Sequence, residues 1–356
     1  MSGPLRVGIV GCGAVAQILH LPALGQLPDR FAVSALCDVN AATLAGVAAR
    51  LPAARRFADA AALAACSEVD VVLVASPHAH HAEAALAAMA AGKHVLIEKP
   101  HCLSLREADA LIAAQEKAGV VAQVGYMRRY APALAEAKAL LAEPAAIRHA
   151  RVQDIIGANA LIVDSTSRVV RGGDDPAAVA RTRALQETLV ADAIGPAPPA
   201  LATAYMLLLG LASHDVAAMR ELIGPPQGVI FAAQRWDGRF LSAAFDYGHF
   251  VCQFAAGVDQ IGRMDAFLEV DAGTRMVRVE YDTPFVRNLP ARLIVTEAKD
   301  RVGVSRSDGY ATRQDAFVLE WIAFHDAIVS KGAPKTSLAD ARADLELFAA
   351  MIAKMR

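Results

Sequence analysis

Short apolar segments alternate with helical segments through the first third of the chain. Strands are predicted at residues 5–10, 31–37, 69–75, 95–97 and 120–124. Helices are predicted at 41–50, 57–65, 81–91 and 105–118. The strand at 69–75 is almost wholly apolar, which is typical of a parallel strand covered by helices on both faces. The alternation predicts an α/β fold with a doubly wound parallel sheet, in which ligands bind beyond the carboxyl ends of the strands.

A glycine-rich turn follows the first predicted strand. Gly11, Gly13 and Ala16 form a G-x-G-x-x-A pattern between this strand and a helix. Gly11 permits the tight bend, Gly13 lets a pyrophosphate approach the backbone, and the small Ala16 lets the helix pack close to the strand. The helix N-terminus also offers free N–H groups to phosphate. The turn therefore predicts a dinucleotide site that includes Gly11, Gly13, Ala14 and Val15.

An acidic residue ends the second predicted strand. Asp38 at this position suits the ribose hydroxyls of NAD and repels the additional phosphate of NADP. No arginine follows directly to receive such a phosphate. A helix cap or turn residue is the alternative interpretation. The order strand, turn and helix favours the cofactor interpretation, with NAD preferred over NADP.

The segment VLIEKP carries an apolar strand directly into an acid, a base and a proline. Glu98, Lys99 and Pro100 stand at the carboxyl end of a predicted parallel strand, so Lys99 is expected to lie over the cofactor. Ser76 and Pro77 end the preceding strand in the same way. The alternative is an exposed strand end with a solvated ion pair.

Composition limits the classes of partner. The chain has 356 residues, more than one core usually holds, so two domains are expected. A net charge of −2 gives no bulk attraction to nucleic acid or to an anionic membrane. No apolar run is expected to span a membrane. The five cysteines contain no CxxC pair, so we expect neither a disulfide framework nor a zinc site, and a cytoplasmic location.

The later part of the chain is predicted to form a second α/β domain. Several runs between residues 229 and 304 alternate apolar and polar residues, which predicts an antiparallel sheet with one buried face. A strand is expected at 148–156 and closing helices at 314–329 and 338–354. The segment 158–200 has no clear strand; a helix should begin at Asp175-Pro176, and the segment is expected to be a lid or an oligomer arm.

One long apolar helix is predicted between Pro198 and Gly224, with His214 and Asp215 as its conspicuous polar residues. A neutral imidazole can take a hydroxyl proton as hydride leaves, and return it in the reverse reaction. A core histidine bonded to a backbone carbonyl is the alternative. Asp215 lies about 100° around the helix from His214, so it is expected to anchor the helix or to bind substrate.

The sequence resembles the glucose–fructose oxidoreductase, inositol dehydrogenase and rhizopine catabolism (Gfo/Idh/MocA) family. The resemblance is carried by GCGAVA at 11–16, by the segment 76–100 that ends in Glu-Lys-Pro, by QVGYMRRY at 123–130 and by SHDVAAMRELIG at 213–224. The first 130 residues match closely and the rest in outline. The resemblance implies a Rossmann domain for NAD or NADP at 1–125. It also implies a second α/β domain at 126–356 with a large, mostly antiparallel sheet, whose C-terminal helices are free to pack back on the first domain.

The resemblance also implies roles for single residues. Glu98 matches the position that contacts the nicotinamide ribose, Lys99 matches the lysine that orients or polarises the substrate oxygen, and a cis peptide is expected before Pro100. His214 matches the histidine of an Asp-x-x-x-His pattern, but Gly210 replaces the acid. The candidate cofactor contacts are Gly11, Gly13, Ala14, Val15, Asp38, Ser76, Pro77, His78, His81, Glu98, Lys99 and Gln123.

Polar residues of the second domain are candidate substrate contacts. Tyr126 and Arg128 are expected to face the substrate, with Tyr126 also a candidate proton relay, and Asp154 is expected to accept sugar hydroxyls. Arg129 is expected to pair with an acid. Asp215 completes the candidate substrate set. Arg168 and Arg171 are either solvated or able to reach an acidic group on the substrate.

A metal site is not expected. His78 and His81 stand three residues apart, but no acid or cysteine nearby completes a ligand set. The exposed face of the second sheet is expected to pack on another subunit, as in many family members, giving a homodimer or homotetramer.

Three functions are open to such a chain. The first is an NAD-dependent dehydrogenase or reductase acting on a sugar, inositol or related polyol, with Lys99 and His214 as catalytic residues. The second is a redox-neutral, NAD-dependent lyase or glycosidase. The third is a non-catalytic NAD-binding regulator, which would not need both Lys99 and His214.

Overall fold

The computed structural model describes residues 3–173 and 175–356. Its strands are β1 (Leu5–Val10), β2 (Phe31–Cys37), β3 (Arg55–Phe57), β4 (Val71–Val74), β5 (His94–Glu98), β6 (Ala122–Gly125), β7 (His149–Ile156), β8 (Gly228–Arg235), β9 (Phe240–Asp246), β10 (Val251–Val258), β11 (Met264–Asp271), β12 (Arg275–Tyr281), β13 (Arg292–Ala298) and β14 (Val304–Gly309).

The α-helices alternate with the early strands and flank the later ones. They are α1 (Leu21–Gly25), α2 (Ala41–Ala48), α3 (Ala60–Ala64), α4 (His81–Ala90), α5 (Leu105–Ala118), α6 (Pro132–Leu140), α7 (Asn159–Thr166), α8 (Pro176–Ile194), α9 (Pro199–Leu207), α10 (Ser213–Ile223), α11 (Ala316–Ser330) and α12 (Leu338–Met355). Helical turns of π type occur at Ala16–His20 and Leu208–Ala212. Turns of 3-10 type occur at His78–His80, Met127–Tyr130 and Pro144–Ala146.

Backbone contacts divide the described residues into two compact units. The first unit takes in the described residues of the ranges 1–125, 167–195 and 317–343. The second takes in Tyr126–Thr166, Pro196–Ala316 and Asp344–Arg356. The domains expected from the sequence, 1–125 and 126–356, are two continuous ranges. They would place residues 167–195 and 317–343, which belong to the first unit, in the second domain.

The sheet of the first unit is parallel throughout its described strands. Six strands pair in the order β3-β2-β1-β4-β5-β6. All of β4 is buried, as expected for a strand covered by helices on both faces. The chain order reverses between β1 and β4, the place where such sheets bind dinucleotides. The predicted doubly wound sheet is confirmed.

Side-chain caps fix several helix ends in this unit. The Asn40 side chain accepts the Thr43 N–H at the start of α2, and Ser104 and Glu107 form a reciprocal capping box on α5. Helix α5 ends at Ala118 and is followed by Gly119 in the left-handed conformation, so the predicted range 105–118 is confirmed.

The predicted helix at 57–65 is wrong at its beginning. Phe57 belongs to β3, which pairs with β2 at the edge of the sheet. The helix starts only at Ala60, where the Asp59 side chain accepts the Ala62 N–H at 2.7 Å. The alanine-rich sequence concealed this short edge strand, because alanine favours helix over strand.

The sheet of the second unit is mostly antiparallel, as predicted. Its described strands pair in the order β14-β13-β12-β11-β7-β10-β9-β8, and the pair β7–β10 is parallel. Side chains alternate along each strand: in β10, Cys252, Phe254 and Ala256 are buried while Val251 and Gln253 are exposed. One face of the sheet is therefore apolar and buried.

The predicted long helix is continuous from Pro199 to Ile223, but a π-helical turn at Leu208–Ala212 interrupts it. By length and composition this helix could cross a membrane, which corrects the expectation that no apolar run is long enough. The most apolar 18-residue window is 67% buried inside the protein, as is normal for a core helix.

Candidate functional site

The glycine turn follows β1 and packs against the backbone just after β4. Gly11 has φ +93°, and a Cβ there would lie 2.5 Å from the Ala75 carbonyl oxygen and the Ser76 nitrogen. Only glycine fits this close approach. A Cβ on Gly13 would meet nothing within 4 Å, so the backbone there borders open space. The turn thus has the features that a pyrophosphate requires, and the helical segment that follows begins at Ala14 and Val15.

Asp38 is held beside this turn. One carboxylate oxygen accepts the Cys12 N–H at 2.8 Å, and the other accepts the Asn40 N–H at 2.8 Å. Two backbone donors fix the carboxylate at the carboxyl end of β2, where the ribose of a dinucleotide binds in this fold. The first unit therefore fits a nicotinamide dinucleotide at the position expected from the sequence.

Glu98, Lys99 and Pro100 follow β5 on the same sheet. The Lys99–Pro100 peptide is cis, which confirms that expectation. Glu98 is buried, Lys99 is half-buried, and the Glu98 carboxylate accepts the Lys99 backbone N–H at 3.1 Å. A Cβ on Gly125, at the end of β6, would lie 3.3 Å from Glu98 Oε1. The absence of a side chain at the end of β6 thus leaves room for this carboxylate.

A buried chain of hydrogen bonds holds Glu98. Trp321 Nε1 donates to His20 Nδ1 at 3.1 Å, so the His20 proton must be on Nε2, which donates to Glu98 Oε1 at 2.8 Å. Burial opposes ionisation of Glu98, but the hydrogen bond from His20 and the charge of Lys99 outweigh it and lower the pKa of Glu98. The carboxylate is therefore charged and fixed at neutral pH.

His81 connects the ends of β4 and β5. Its ring nitrogens lie 2.7 Å from the Pro100 carbonyl oxygen and 2.6 Å from the Ser76 carbonyl oxygen. Burial lowers the pKa of His81, against the two carbonyl groups that favour a charged ring. Both nitrogens contact the protein's own backbone, so this side chain positions the two loops.

The other candidate cofactor residues near these loops differ in exposure. Burial and the charges of His81 and Lys99 lower the pKa of His78 to about 3, so its ring is neutral. Pro77 is exposed, and Ser76 is half-buried. Gln123 is fully buried, and its Nε2 donates to the Glu320 carbonyl oxygen at 3.2 Å, so it ties β6 to α11. Among the residues that the structure describes, no group of three His, Cys, Asp or Glu side chains could hold a metal ion.

His214 lies at the start of α10 in the second unit. It is 6% exposed, and its ring centroid lies 6.2 Å from that of the buried Tyr126 in an edge-on arrangement. Gly210 belongs to the π-helical turn directly before α10. That turn widens the helix where the usual acid would stand.

Arg128, Asp154 and Asp215 form a buried cluster in the second unit. Arg128 Nη2 lies 2.9 Å from Asp154 Oδ2, and Arg128 Nη1 donates to Asp215 Oδ1. The guanidinium also stands over the Tyr281 ring, 5.1 Å from its centroid. Burial and the neighbouring Asp154 raise the pKa of Asp215 well above its usual value, against the opposing charge of Arg128. Asp215 therefore anchors its helix through Arg128, one of its two expected roles.

Arg129 pairs with an acid, as predicted. Its Nε donates to Glu221 Oε2 at 2.6 Å, which ties the turn after β6 to α10.

All five cysteines are buried, and none forms a disulfide.

Sequence reasoning missed His20, Trp321 and Gln17. Gln17 Nε2 donates to the Cys12 carbonyl oxygen at 2.8 Å, directly beneath the glycine turn. A polar residue in the apolar helix after a glycine turn was the available signal for Gln17 and His20. The hydrogen bond between Trp321 and His20 could not be predicted from local sequence, because the two residues are 301 positions apart.

Known proteins resemble the first unit in sequence and the whole chain in fold. A family model described as an oxidoreductase family with an NAD-binding Rossmann fold, Gfo/Idh/MocA, matches residues 5–126. An inositol 2-dehydrogenase from Paracoccus denitrificans is 37% identical over 141 residues, which are 39% of this chain and 42% of that protein. A UDP-N-acetylglucosamine 3-dehydrogenase from Acidithiobacillus ferrooxidans is 36% identical over 132 residues, 36% of this chain and 39% of that protein. The chain thus matches about two fifths of the length of these curated relatives.

Solved structures resemble the chain over its full length. The UDP-N-acetylglucosamine 3-dehydrogenase from Acidithiobacillus ferrooxidans superposes with a TM-score of 0.72 at 22% identity, covering 99% of both chains. A 3-ketoreductase from Actinomadura kijaniata, in complex with NADP and TDP-benzene, superposes with a TM-score of 0.74 at 22% identity, covering 99% of this chain and 98% of that one. These likenesses establish the fold. Residues 5–126 of the first unit thus match the Gfo/Idh/MocA oxidoreductase family, and the whole chain shares the fold of these solved structures.

Proposed function

We propose that this chain is an NAD-dependent oxidoreductase that moves a hydride between nicotinamide and a carbinol carbon of a sugar, inositol or related polyol. The observation that carries the proposal is the sequence Glu98-Lys99-Pro100 at the end of β5, on the same sheet edge as a glycine turn with space for a dinucleotide. The names of the relatives, an inositol 2-dehydrogenase and a sugar-nucleotide 3-dehydrogenase, support the substrate class.

Lys99 and His214 have separate roles in the proposed reaction. The dinucleotide, when bound, supplies the hydride acceptor or donor. The Lys99 ammonium polarises the carbinol oxygen and stabilises the negative charge that develops there. The His214 imidazole takes the hydroxyl proton during oxidation and returns it during reduction. Tyr126, whose ring adjoins that of His214, is a candidate relay for this proton.

Several first-unit residues hold Lys99 and the dinucleotide in place. Glu98 keeps the backbone of Lys99 fixed, and the charge of Lys99 helps to lower the pKa of Glu98. His81 links the loops after β4 and β5, so these loops keep one geometry. Gly11, Gly13, Ala14 and Val15 bind the pyrophosphate, and Asp38 binds the adenosine ribose.

We propose a preference for NAD, because the Asp38 carboxylate repels a 2′-phosphate. The structure of the 3-ketoreductase relative holds NADP, so the preference has to be measured for this chain. The buried cysteines without disulfides support a cytoplasmic location. Association into a dimer or tetramer through the outer face of the second sheet also belongs to the proposal.

Gly210 favours one second candidate. A chain without the usual acid near His214 could use transient oxidation by tightly held NAD to labilise a bond, with no net redox change. Such a lyase or glycosidase would need Lys99 and His214 but would release no NADH.

The test is to mix the purified protein with NAD⁺ and a panel of sugars, inositols, amino sugars and sugar acids, while following the near-ultraviolet absorbance of NADH. NADH formed with one substrate class is the expected result. Tight NAD binding with cleavage of a substrate and no net NADH would favour the redox-neutral enzyme. Tight NAD binding with neither reaction would indicate a regulator.

A further inference from the structure

We propose that residues 169–173, here named the strap, form a wall of the ribose site at Asp38 and discriminate against the 2′-phosphate of NADP. The strap belongs to the first unit, although in the chain it follows β7 and α7 of the second. This inference rests on the proposed function, because it concerns the cofactor that the enzyme would use.

The strap is bound to the helix that follows the glycine turn. Gln17 Nε2 donates to the Val170 carbonyl oxygen at 2.9 Å, and the Val170 N–H donates to Gln17 Oε1 at 2.9 Å. The same Nε2 donates to the Cys12 carbonyl oxygen inside the turn. One buried amide therefore joins the strap to the turn that would hold the pyrophosphate.

The strap is also bound to the start of α2, just beyond Asp38. The Gly172 N–H donates to Thr43 Oγ1 at 2.8 Å, and Asn40 Nδ2 donates to the Gly173 carbonyl oxygen at 2.7 Å. With the Gln17 contacts, these bonds attach the strap to the glycine turn and to the start of α2, whose Cys12 and Asn40 N–H groups donate to the Asp38 carboxylate.

Close packing makes this attachment specific. A Cβ on Gly172 would lie 1.8 Å from Asn40 Oδ1, and a Cβ on Gly46 would lie 2.4 Å from Val170 Cγ1. In contrast, a Cβ on Gly173 would meet nothing within 4 Å. The strap therefore reaches its position only because residues 46 and 172 lack side chains.

This arrangement removes donors that a 2′-phosphate would need. Asn40 Nδ2 is engaged by the strap, and the Thr43 N–H is engaged by Asn40 Oδ1. The Gly173 carbonyl oxygen of the strap occupies Asn40 Nδ2, so the Asp38 carboxylate remains to accept the ribose hydroxyl groups. A 2′-phosphate would meet like charge and acceptor oxygens, and it would be rejected mainly by repulsion. Arg171 also lies within the strap, and its positive charge would attract a 2′-phosphate.

The experiment measures dissociation constants for NAD⁺ and NADP⁺ by titration calorimetry with the wild-type chain, Gly172→Ala and the matched control Gly173→Ala. We expect wild type to prefer NAD⁺, Gly172→Ala to lose at least about tenfold of that preference, and Gly173→Ala to retain it. Gly46→Ala displaces the strap from the other side, and in a helix alanine is favoured over glycine. It tests the same claim should Gly172→Ala fail to fold.

Three results would overturn the proposal. An unchanged preference in both displaced-strap variants would show that the strap has no part in specificity. Equal weakening of NAD⁺ binding and NADP⁺ binding would show that the strap covers the site without discriminating between the two dinucleotides. An Arg171→Ala variant that loses NADP⁺ selectively would show that the strap attracts the phosphate. A wild-type chain that binds neither dinucleotide would instead refute the proposed function itself.

Discussion

Among single residues, Lys99 carries the central chemical assignment. Replacing it with methionine keeps the length of the side chain and removes its charge and its donors. In Lys99→Met we expect NAD⁺ affinity to remain within a few-fold and turnover to fall by roughly 10²- to 10⁴-fold. The exposed Lys117, at the end of α5, provides the control Lys117→Met, which should change neither quantity. Turnover unchanged in Lys99→Met would remove this residue from the mechanism.

His20 controls the charge of Glu98, and this gives a prediction for stability. Because the folded-state pKa of Glu98 is lowered, its ionised form stabilises the protein above the usual carboxyl range, and this contribution is lost as the pH falls through the lowered pKa. In His20→Phe a buried carboxylate loses its donor, so the variant should lose about 1–3 kcal/mol of stability at neutral pH. The difference from wild type should shrink as the pH falls and Glu98 takes up a proton.

Melting temperatures of wild type and His20→Phe, measured from neutral to acidic pH, check this expectation. His325→Phe is the matched control, because His325 lies on the helix that carries Trp321 but at a partly exposed position beside Arg30 and Asp326. A loss of stability in His20→Phe that is equal at every pH would show that His20 acts only through packing.

Single residues differ in how far the sequence could place them. Gly11, Asp38 and Lys99 follow predicted strands directly, so sheet topology alone brings them to one edge. Arg128 was a candidate substrate contact, but the structure gives its guanidinium two buried carboxylate partners from β7 and α10. These pairs join residues 26 and 87 positions apart from Arg128, and no local pattern encodes them.

At the level of elements, the helix α9–α10 holds the main departure from the family pattern. Gly210 lies in its π-helical turn, and an acid introduced there would favour a charged His214. Oxidation needs the neutral imidazole as base, so in Gly210→Asp the acid limb of the kcat profile should move to higher pH. Gly210→Asn, which adds the same bulk without charge, should leave that limb in place. Identical profiles for both variants would argue against His214 as the proton carrier.

Helices and strands were predictable where their apolar residues recur with one clear spacing along the chain. The parallel strands and α5 are examples, because their apolar patterns and caps agree. The strand β3 was missed because it is three residues long and lies at a sheet edge. The π-helical turns were missed because their extra residue is set by packing against other elements, which the sequence of the helix does not reveal.

At the scale of the whole molecule, the outer face of the second sheet is the proposed subunit interface. Ion pairs cross this face from Arg151 through Glu269 and Arg278 to Glu280. Small side chains such as Ala255 on β10 make another part of it flat. We expect wild type to sediment as a dimer or tetramer, and Ala255→Arg to sediment as a smaller species because a bulky charge cannot be buried there.

The control for this measurement is Val329→Arg, at an exposed position near the end of α11. It should leave the sedimentation coefficient unchanged. A wild-type chain that is monomeric at all accessible concentrations would refute the proposed interface.

The most direct test of the central claim is the fate of the carbinol hydrogen. A polyol identified in the substrate panel would be deuterated at its carbinol carbon and incubated with the protein and NAD⁺, and the reduced cofactor would be examined by mass spectrometry and NMR. A single deuteron on the nicotinamide ring, with slower turnover of the deuterated substrate when hydride transfer limits the rate, is the predicted result. Reduced cofactor without deuterium, or no reduced cofactor although NAD⁺ is bound, would contradict the assignment of this chain as a hydride-transferring polyol dehydrogenase.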